Sequence, residues 1–451
     1  MPSKSILITG AGLVGSLLAI YMNRRGYKVS VYEKREDPRK TLLEDGRSVN
    51  LALSHRGIHA LQKAGLEKII LENAIPMKGR MVHDVKGQTN FQPYGEEGQY
   101  INSVSRGGLN RALIEYASQQ DGIEFCFNQK GIGVDMKAKI ATFENYATGE
   151  EVKMPYSIIA GSDGIFSQVR KSMQDELDFK TVIEKLPQGY KELHFPAGEN
   201  NQHLIEKNVL HIWPRGKFML IALPNNDGSF TCTLFLPFEG ENSFTSIKNK
   251  KDLHSFFGKF FPDTLPLIET IEDDYFDNKA SFLSTIHTFP WVHQENAFLI
   301  GDAAHAIVPF YGQGMNAGLE DVRILNELLD LWNDDWTKVL PEYQKARKPN
   351  ADAIAELSMK NFIEMRDLVA DENFILRKKI ESAIHKRYKN YLPLYSMVTF
   401  SDLPYAEALA KGKEHDRLMS KILALPDIKE NWDKENGWLE IEKALLNSGV
   451  C

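Results

Sequence analysis

The spacing of apolar and polar residues predicts a βαβ start to the chain. Residues 5–9 read as a short apolar strand, and 16–25 as a helix with Gly26 at its C-terminal stop. Residues 28–32 read as a second strand, followed by Glu33. Helical spacing returns at 57–72 and 109–119. The middle of the chain is β-rich. Residues 209–213, 218–223 and 230–236 predict consecutive strands, and Asn226-Asp227-Gly228 is a hairpin signal between the last two. From Asp321 onward the spacing is helical, with breaks expected at Pro341, Pro349, Pro393 and Pro404. The seventeen residues 6–22 carry no charge. Glycines at 10, 12 and 15 split that run into strand, turn and helix, which argues against a spanning or signal segment.

Composition narrows the class. A chain of 451 residues has room for about three domains or subdomains. Hydrophobic residues at 43% and charged residues at 25% exclude a disordered, collagenous or coiled-coil chain. A net charge of −7 argues against a nucleic-acid partner, which demands basic patches. Cys126, Cys232 and Cys451 are odd in number and lack CxxC spacing, so neither a disulfide framework nor a metal site is expected. With no other run near spanning length, the expectation is a cytoplasmic protein without a transmembrane anchor.

Candidate chemistry begins with GxGxxG at Gly10, Gly12 and Gly15. The first glycine permits the tight turn after the strand. The second lets the backbone approach a pyrophosphate, and the third lets helix pack on strand. Glu33 lies 33 − 12 = 21 residues past the second glycine, where an acid can accept from a ribose hydroxyl. A glycine-rich turn of any α/β protein is the plain alternative, and it leaves Glu33 unexplained. Further on, an apolar strand leads into Gly161-Ser162-Asp163-Gly164. Another ends in Gly301-Asp302, followed by a Gly-rich loop and a helix beginning near Gly314. There Asp302 can reach a ribityl hydroxyl, and the amides of Met315 and Asn316 can point at a flavin ring carbonyl. His305 reads as a packed or hydrogen-bonded residue rather than a base. Gly131-Ile132-Gly133 is incomplete, so no second dinucleotide fingerprint is present.

The segments around Asp163 and Asp302 resemble the DG and GD fingerprints of FAD-dependent aromatic hydroxylases. More specific runs lie at 46–57, 79–84, 103–110, 234–240, 308–316, 361–366 and 394–400. Together they resemble the kynurenine 3-monooxygenase family, from Ile6 to about Leu409. The resemblance implies hydroxylation of L-kynurenine with NADPH and O₂, by way of a flavin C4a-hydroperoxide. It implies an α/β, Rossmann-like FAD-binding fold with an inserted β-sheet substrate domain and a C-terminal helical region. The expected divisions are 1–75, 100–180 and 285–330 for FAD, 76–99 and 181–284 for substrate, and 331–451 for the helical region.

Residue by residue, Val14, Glu33, Arg35, Ala52, Arg106, Asp302, Met315 and Asn316 match FAD-binding positions, beside Gly10, Gly12, Gly15, Asp163 and Gly314. Arg80 and Tyr94 match residues that hold the substrate carboxylate, which suits a planar guanidinium. Asn361 and Tyr395 are implied for the rest of the amino-acid end, and Phe310 for the loop facing flavin and substrate. No catalytic acid or base is assigned, because an aniline nitrogen already activates the neighbouring ring carbon and the cofactor carries the chemistry. The partner is a small aromatic amino acid, and a homodimer is compatible with the sequence. A related hydroxylase for another aromatic acid or a phenol is the alternative. A flavin halogenase would carry a WxW signature, which the sequence lacks.

Overall fold

A computed structural model of the chain describes residues 4–40, 50–267, 271–368 and 371–448. The first part of the 46–57 run, with Arg47, and Cys451 lie outside these residues.

Strand β1 (Ser5–Thr9) is buried on both faces through Ile6, Leu7 and Ile8, as a central parallel strand demands. Helix α1 (Leu13–Arg24) follows, buried continuously from Gly15 to Met22. The uncharged run is therefore interior to an α/β layer, and among the described residues no helix is long and apolar enough to cross a membrane. Strand β2 (Lys28–Tyr32) pairs parallel with β1. The six-stranded sheet runs Val292–His293, Ala297–Leu299, Ile159–Gly161, β1, β2, Ile123–Cys126. All neighbours are parallel except the first pair. The chain leaves β1 toward β2 and later returns to β1's other side. Such a switch point opens a crevice at the C-terminal strand ends, where ligands bind in open α/β sheets. Gly10, Glu33, Asp163 and Asp302 each follow the C-terminal end of one of these strands.

A second, seven-stranded sheet is built mainly from the middle of the chain. Its order is Ser281–His287, Val182–Phe195, Phe230–Pro237, Phe218–Pro224, β4 (Leu210–Arg215), β3 (Gly79–His83) and Thr89–Pro93. The one parallel pair in it is β3 with β4. Side chains alternate across the pleat. Trp213, Leu220 and Leu234 face a layer holding Phe256, Phe257, Phe261 and Tyr275. Ile212, Met219 and Phe235 face the other way, toward Val308, Phe310, Phe362 and Met365. That second face joins the sheet to the segment that follows Ala297–Leu299 and to the C-terminal helices.

Two local expectations change. The 57–72 helix divides into α2 (His55–Lys63) and a short helix Glu67–Leu71, because Gly65 turns at φ +68 between them. After α3 (Gly314–Leu331), helix α4 (Trp336–Ile363) runs unbroken through both Pro341 and Pro349. An interior proline costs about 3 kcal/mol in an exposed helix. Here tertiary packing overrides it. Val339, Leu340 and Tyr343 are fully buried, and Arg347 is clamped between the carboxylates of Glu320 and Asp321. Pro393 and Pro404 do mark boundaries, as the N-caps of α5 (Leu394–Thr399) and α6 (Tyr405–Leu423).

Candidate active site

The turn after β1 forms an open cradle. Gly10 adopts φ +92, and a Cβ there would stand 2.7 Å from the Ser162 carbonyl oxygen. A Cβ on Gly15 would stand 2.0 Å from the Gly10 oxygen, so α1 rests directly on the turn. Gly12 differs: its backbone is extended, and nothing lies within 4 Å of where its Cβ would be. The N-terminus of α1 thus faces free space, with first-turn amides that lack intrahelical partners. Val14 closes one side, since a Cβ on Gly301 or Gly318 would meet it at 2.9 or 2.7 Å.

Glu33 is buried beside this turn. One carboxylate oxygen accepts from the Ala11 amide at 2.8 Å, the other from the Arg35 amide at 3.0 Å and its Nε at 2.9 Å. Burial pushes its carboxyl up, but the Arg35 guanidinium and the two amides outweigh it and hold the group below the usual carboxylate range. Asp163 accepts from the Gln168 amide through one oxygen, while the other is buried without a partner among the described residues. Burial pushes this carboxyl up. Asp302 is exposed at the first position of the helix Asp302–His305, and Arg106 is exposed at the start of Arg106–Ser118.

Asn316 does more than its sequence position suggested. Its Oδ1 accepts from the Ser54 amide at 2.9 Å, and its Nδ2 donates to the carbonyls of Ala52 and Gly312 at 2.8 and 2.7 Å. The side chain ties α3 to the strand Asn50–Leu53. Its own amide, with those of Gly314 and Met315, stays at the α3 N-terminus, outside the intrahelical ladder. His305 is buried with Nε2 2.5 Å from Asp321, whose other oxygen accepts from Arg347 at 2.6 Å. It is part of a closed ionic network, as its reading implied.

A second constellation lies on the inner face of the seven-stranded sheet. Arg80, on β3, is 9% exposed. Its guanidinium carbon stands 5.1 Å from the Tyr395 ring centre and 5.5 Å from that of Tyr94. Tyr94 and Tyr395 stack at 5.2 Å, and Tyr395 and Tyr311 at 5.6 Å. Arg80 enters no ion pair among the described residues. Among the described residues its Nε and the Tyr94 hydroxyl are buried with no partner at good hydrogen-bond geometry. Burial pushes the hydroxyls of Tyr94, Tyr311 and Tyr395 up, so all three are neutral donors at pH 7.

Phe310 stacks on Phe362 at 4.1 Å and leans on Phe235 at 5.0 Å. Asn361 donates from Nδ2 to the Phe310 carbonyl at 2.6 Å, anchoring the Pro309–Tyr311 turn to α4. The structure therefore brings Arg80, Tyr94 and Tyr395 together. It places Phe310 and Asn361 at the adjoining aromatic wall. Phe235, Phe362 and Met365 were not singled out as site residues, although strand alternation carried the signal for Phe235.

Residues 3–358 match the family model described as FAD binding domain. The cradle at Gly12, the ionised Glu33 and the amides at the α3 N-terminus fit that cofactor. A protein of Flavobacterium johnsoniae named kynurenine 3-monooxygenase is 49% identical over 445 residues, covering 98% of each chain. One of the same name from Christiangramia forsetii is 47% identical over 447 residues, again 98% of each. Among solved structures, 2-methyl-3-hydroxypyridine-5-carboxylic acid oxygenase superposes with a TM-score of 0.65 at 19% identity, covering 85% of this chain and 98% of that one. It shares the fold. The chain binds FAD and belongs to the kynurenine 3-monooxygenase family of flavoprotein aromatic hydroxylases.

Proposed function

We propose that the enzyme converts L-kynurenine, NADPH, H⁺ and O₂ to 3-hydroxy-L-kynurenine, NADP⁺ and H₂O. One observation carries the choice of substrate. Arg80 is a buried cation whose Nε, like the neighbouring Tyr94 hydroxyl, has no partner at good hydrogen-bond geometry among the described residues; aromatic rings surround it, and the Glu364 carboxylate acts on its charge from nearby without forming an ion pair with it. Buried charge is costly unless paired, so such a pair awaits an anion. A flat aromatic amino acid with a carboxylate meets that demand. The relatives' names agree with it.

In this reading, segments 1–75, 100–180 and 285–330 hold FAD, 76–99 and 181–284 form the substrate wall, and 331–451 cover it. Gly10, Gly12, Val14, Gly15 and Arg106 receive the pyrophosphate, and Glu33 and Arg35 the adenosine ribose. Asp163 and Asp302 hold the ribityl side, while Ala52, Gly314, Met315 and Asn316 border the ring. Bound FAD supplies the redox chemistry, accepting reducing equivalents from NADPH and activating O₂. Arg80 and Tyr94 bind the substrate carboxylate, and the Tyr395 ring, stacked on that of Tyr94, lies against the guanidinium. Phe310, Phe235 and Phe362 press on the aromatic ring, and Asn361 fixes the turn that carries Phe310. These residues exclude water from the reacting carbon. No side-chain base is required, since the substrate's amino group pushes electron density onto the ring carbon beside it. The free thiols of Cys126 and Cys232 support a cytoplasmic location.

The test is the rate of NADPH oxidation by the FAD-loaded protein with L-kynurenine, benzoates or phenols. Stimulation by L-kynurenine above the others is expected. A stronger response to a simple benzoate or a phenol would move the enzyme to a different substrate.

A further inference from the structure

Helix α2 carries a second cluster that the hydroxylase chemistry does not use. His55 and His59 stand one turn apart on it, so both imidazoles project from one helix face. Asp402, in the link between α5 and α6, reaches across to them. His55 Nε2 is 2.9 Å from Asp402 Oδ2, and His59 Nδ1 is 3.1 Å from Asp402 Oδ1. One ligand atom from each residue falls within 4.8 Å of the other two. We propose that His55, His59 and Asp402 form a surface site for a borderline divalent transition metal such as Zn²⁺ or Ni²⁺.

The donor set is two imidazoles and one carboxylate. Ligands at 2.0–2.1 Å from a tetrahedral metal sit roughly 3.3 Å apart. The imidazole-to-carboxylate distances need only a few tenths of an ångström of adjustment. A histidine pair at i and i+4 on a helix is a geometry that binds zinc in other proteins. Imidazole donors select Zn²⁺, Ni²⁺ and Cu²⁺ over Mg²⁺ and Ca²⁺, which prefer all-oxygen sets. The three side chains are partly open to solvent, so water can fill the remaining positions. Arg323 stands 3.5 Å from Asp402 Oδ1 and competes for the carboxylate, which moderates the affinity without blocking the imidazoles.

The position gives the site a consequence. Arg56, beside His55 on α2, already donates to the carbonyls of Val398 and Leu403, on either side of Asp402. A metal on His55, His59 and Asp402 adds a second fastening between the cofactor layer and the segment that follows Tyr395.

Tag-free, FAD-loaded protein is titrated calorimetrically at pH 7.5 with ZnCl₂, NiCl₂, MgCl₂ and CaCl₂. One equivalent each of Zn²⁺ and Ni²⁺ should bind, Mg²⁺ and Ca²⁺ should not, and Zn²⁺ should raise the melting temperature. His59→Ala and, separately, Asp402→Asn should weaken Zn²⁺ binding by on the order of 100-fold or more, since outer-shell changes alone cost 10–100-fold. Flavin absorbance and far-ultraviolet dichroism of the variants should stay unchanged, and His59→Gln serves if the alanine variant misfolds. Absence of saturable Zn²⁺ binding overturns the proposal. So does one equivalent that persists undiminished in the variants, which would place the metal elsewhere.

Discussion

Arg80→Met separates a substrate anchor from a structural arginine. In the free enzyme the guanidinium is buried beside the stacked rings of Tyr94 and Tyr395 and, among the described residues, forms no ion pair with a carboxylate. Removing it gives up two cation–π contacts of about 0.5–2 kcal/mol each. It also relieves a buried, unpaired charge and sets a thioether against two aromatic rings, both favourable. The changes nearly cancel, so stability should move by no more than about 1–2 kcal/mol in either direction. Substrate binding has no such compensation. Truncating one partner of a buried, hydrogen-bonded charge pair costs about 2–5 kcal/mol. Taking about 3 kcal/mol, with tenfold per 1.4 kcal/mol, L-kynurenine should bind about 150-fold more weakly. Titration of the flavin absorbance with L-kynurenine gives the dissociation constant, and urea unfolding gives the stability, on the same FAD-loaded sample. A dissociation constant within threefold of the parent's would refute the placement of the carboxylate. A loss of 4 kcal/mol of stability (roughly a broken buried ion pair) would instead make Arg80 part of the scaffold.

Three more outcomes follow from the same geometry. Gly12→Ala should fold with parental stability yet lose FAD, because its Cβ would enter free space where the phosphates pass, whereas Gly15→Ala should damage the fold through a 2.0 Å clash with Gly10. Comparing flavin content with apoprotein melting checks both, and full flavin retention in Gly12→Ala would count against the cradle. Asn316→Ala should cost about 3 kcal/mol by stranding the Ser54 amide and the Ala52 carbonyl, with weakened FAD binding, as read by denaturant unfolding; an unchanged midpoint would contradict this. His211 donates from Nε2 to the Glu206 carbonyl, and burial pulls it down to about 4. Its unfolded value is about 6.5, so its contribution is intact above that pH and is lost as pH falls toward 4, by about 2 kcal/mol at pH 5. His211→Gln should flatten the stability profile between pH 7 and 5 by that amount, and parallel profiles would sink the assignment.

The cofactor half of the molecule was legible because its signals are local. Strand β1, the glycine turn and Glu33 lie within a short stretch, and Asp163 and Asp302 each end an apolar strand. The Arg80 pocket is assembled from β3, the loop after Thr89–Pro93, the Pro309–Tyr311 turn and α5. No spacing rule joins Arg80 to Tyr395, and their adjacency entered only through family resemblance. Phe362 was missed as a site residue because an aromatic in a helix does not announce which ring it stacks on. Pro341 and Pro349 misled for a related reason. A breaker's local cost was visible, but the buried contacts of Tyr343 and Arg347 that override it come from distant segments. The scaffold role of the Asn316 side chain was equally hidden, since its partners at Ser54 and Ala52 are 262 and 264 positions away.

The central claim is settled most directly by product analysis. FAD-loaded protein is incubated with NADPH, L-kynurenine and isotopically heavy O₂, and the products are separated and weighed by mass spectrometry. The account predicts 3-hydroxy-L-kynurenine carrying one heavy oxygen, formed in step with NADPH consumption. Hydrogen peroxide with unchanged L-kynurenine, or a product hydroxylated elsewhere on the ring, would contradict it.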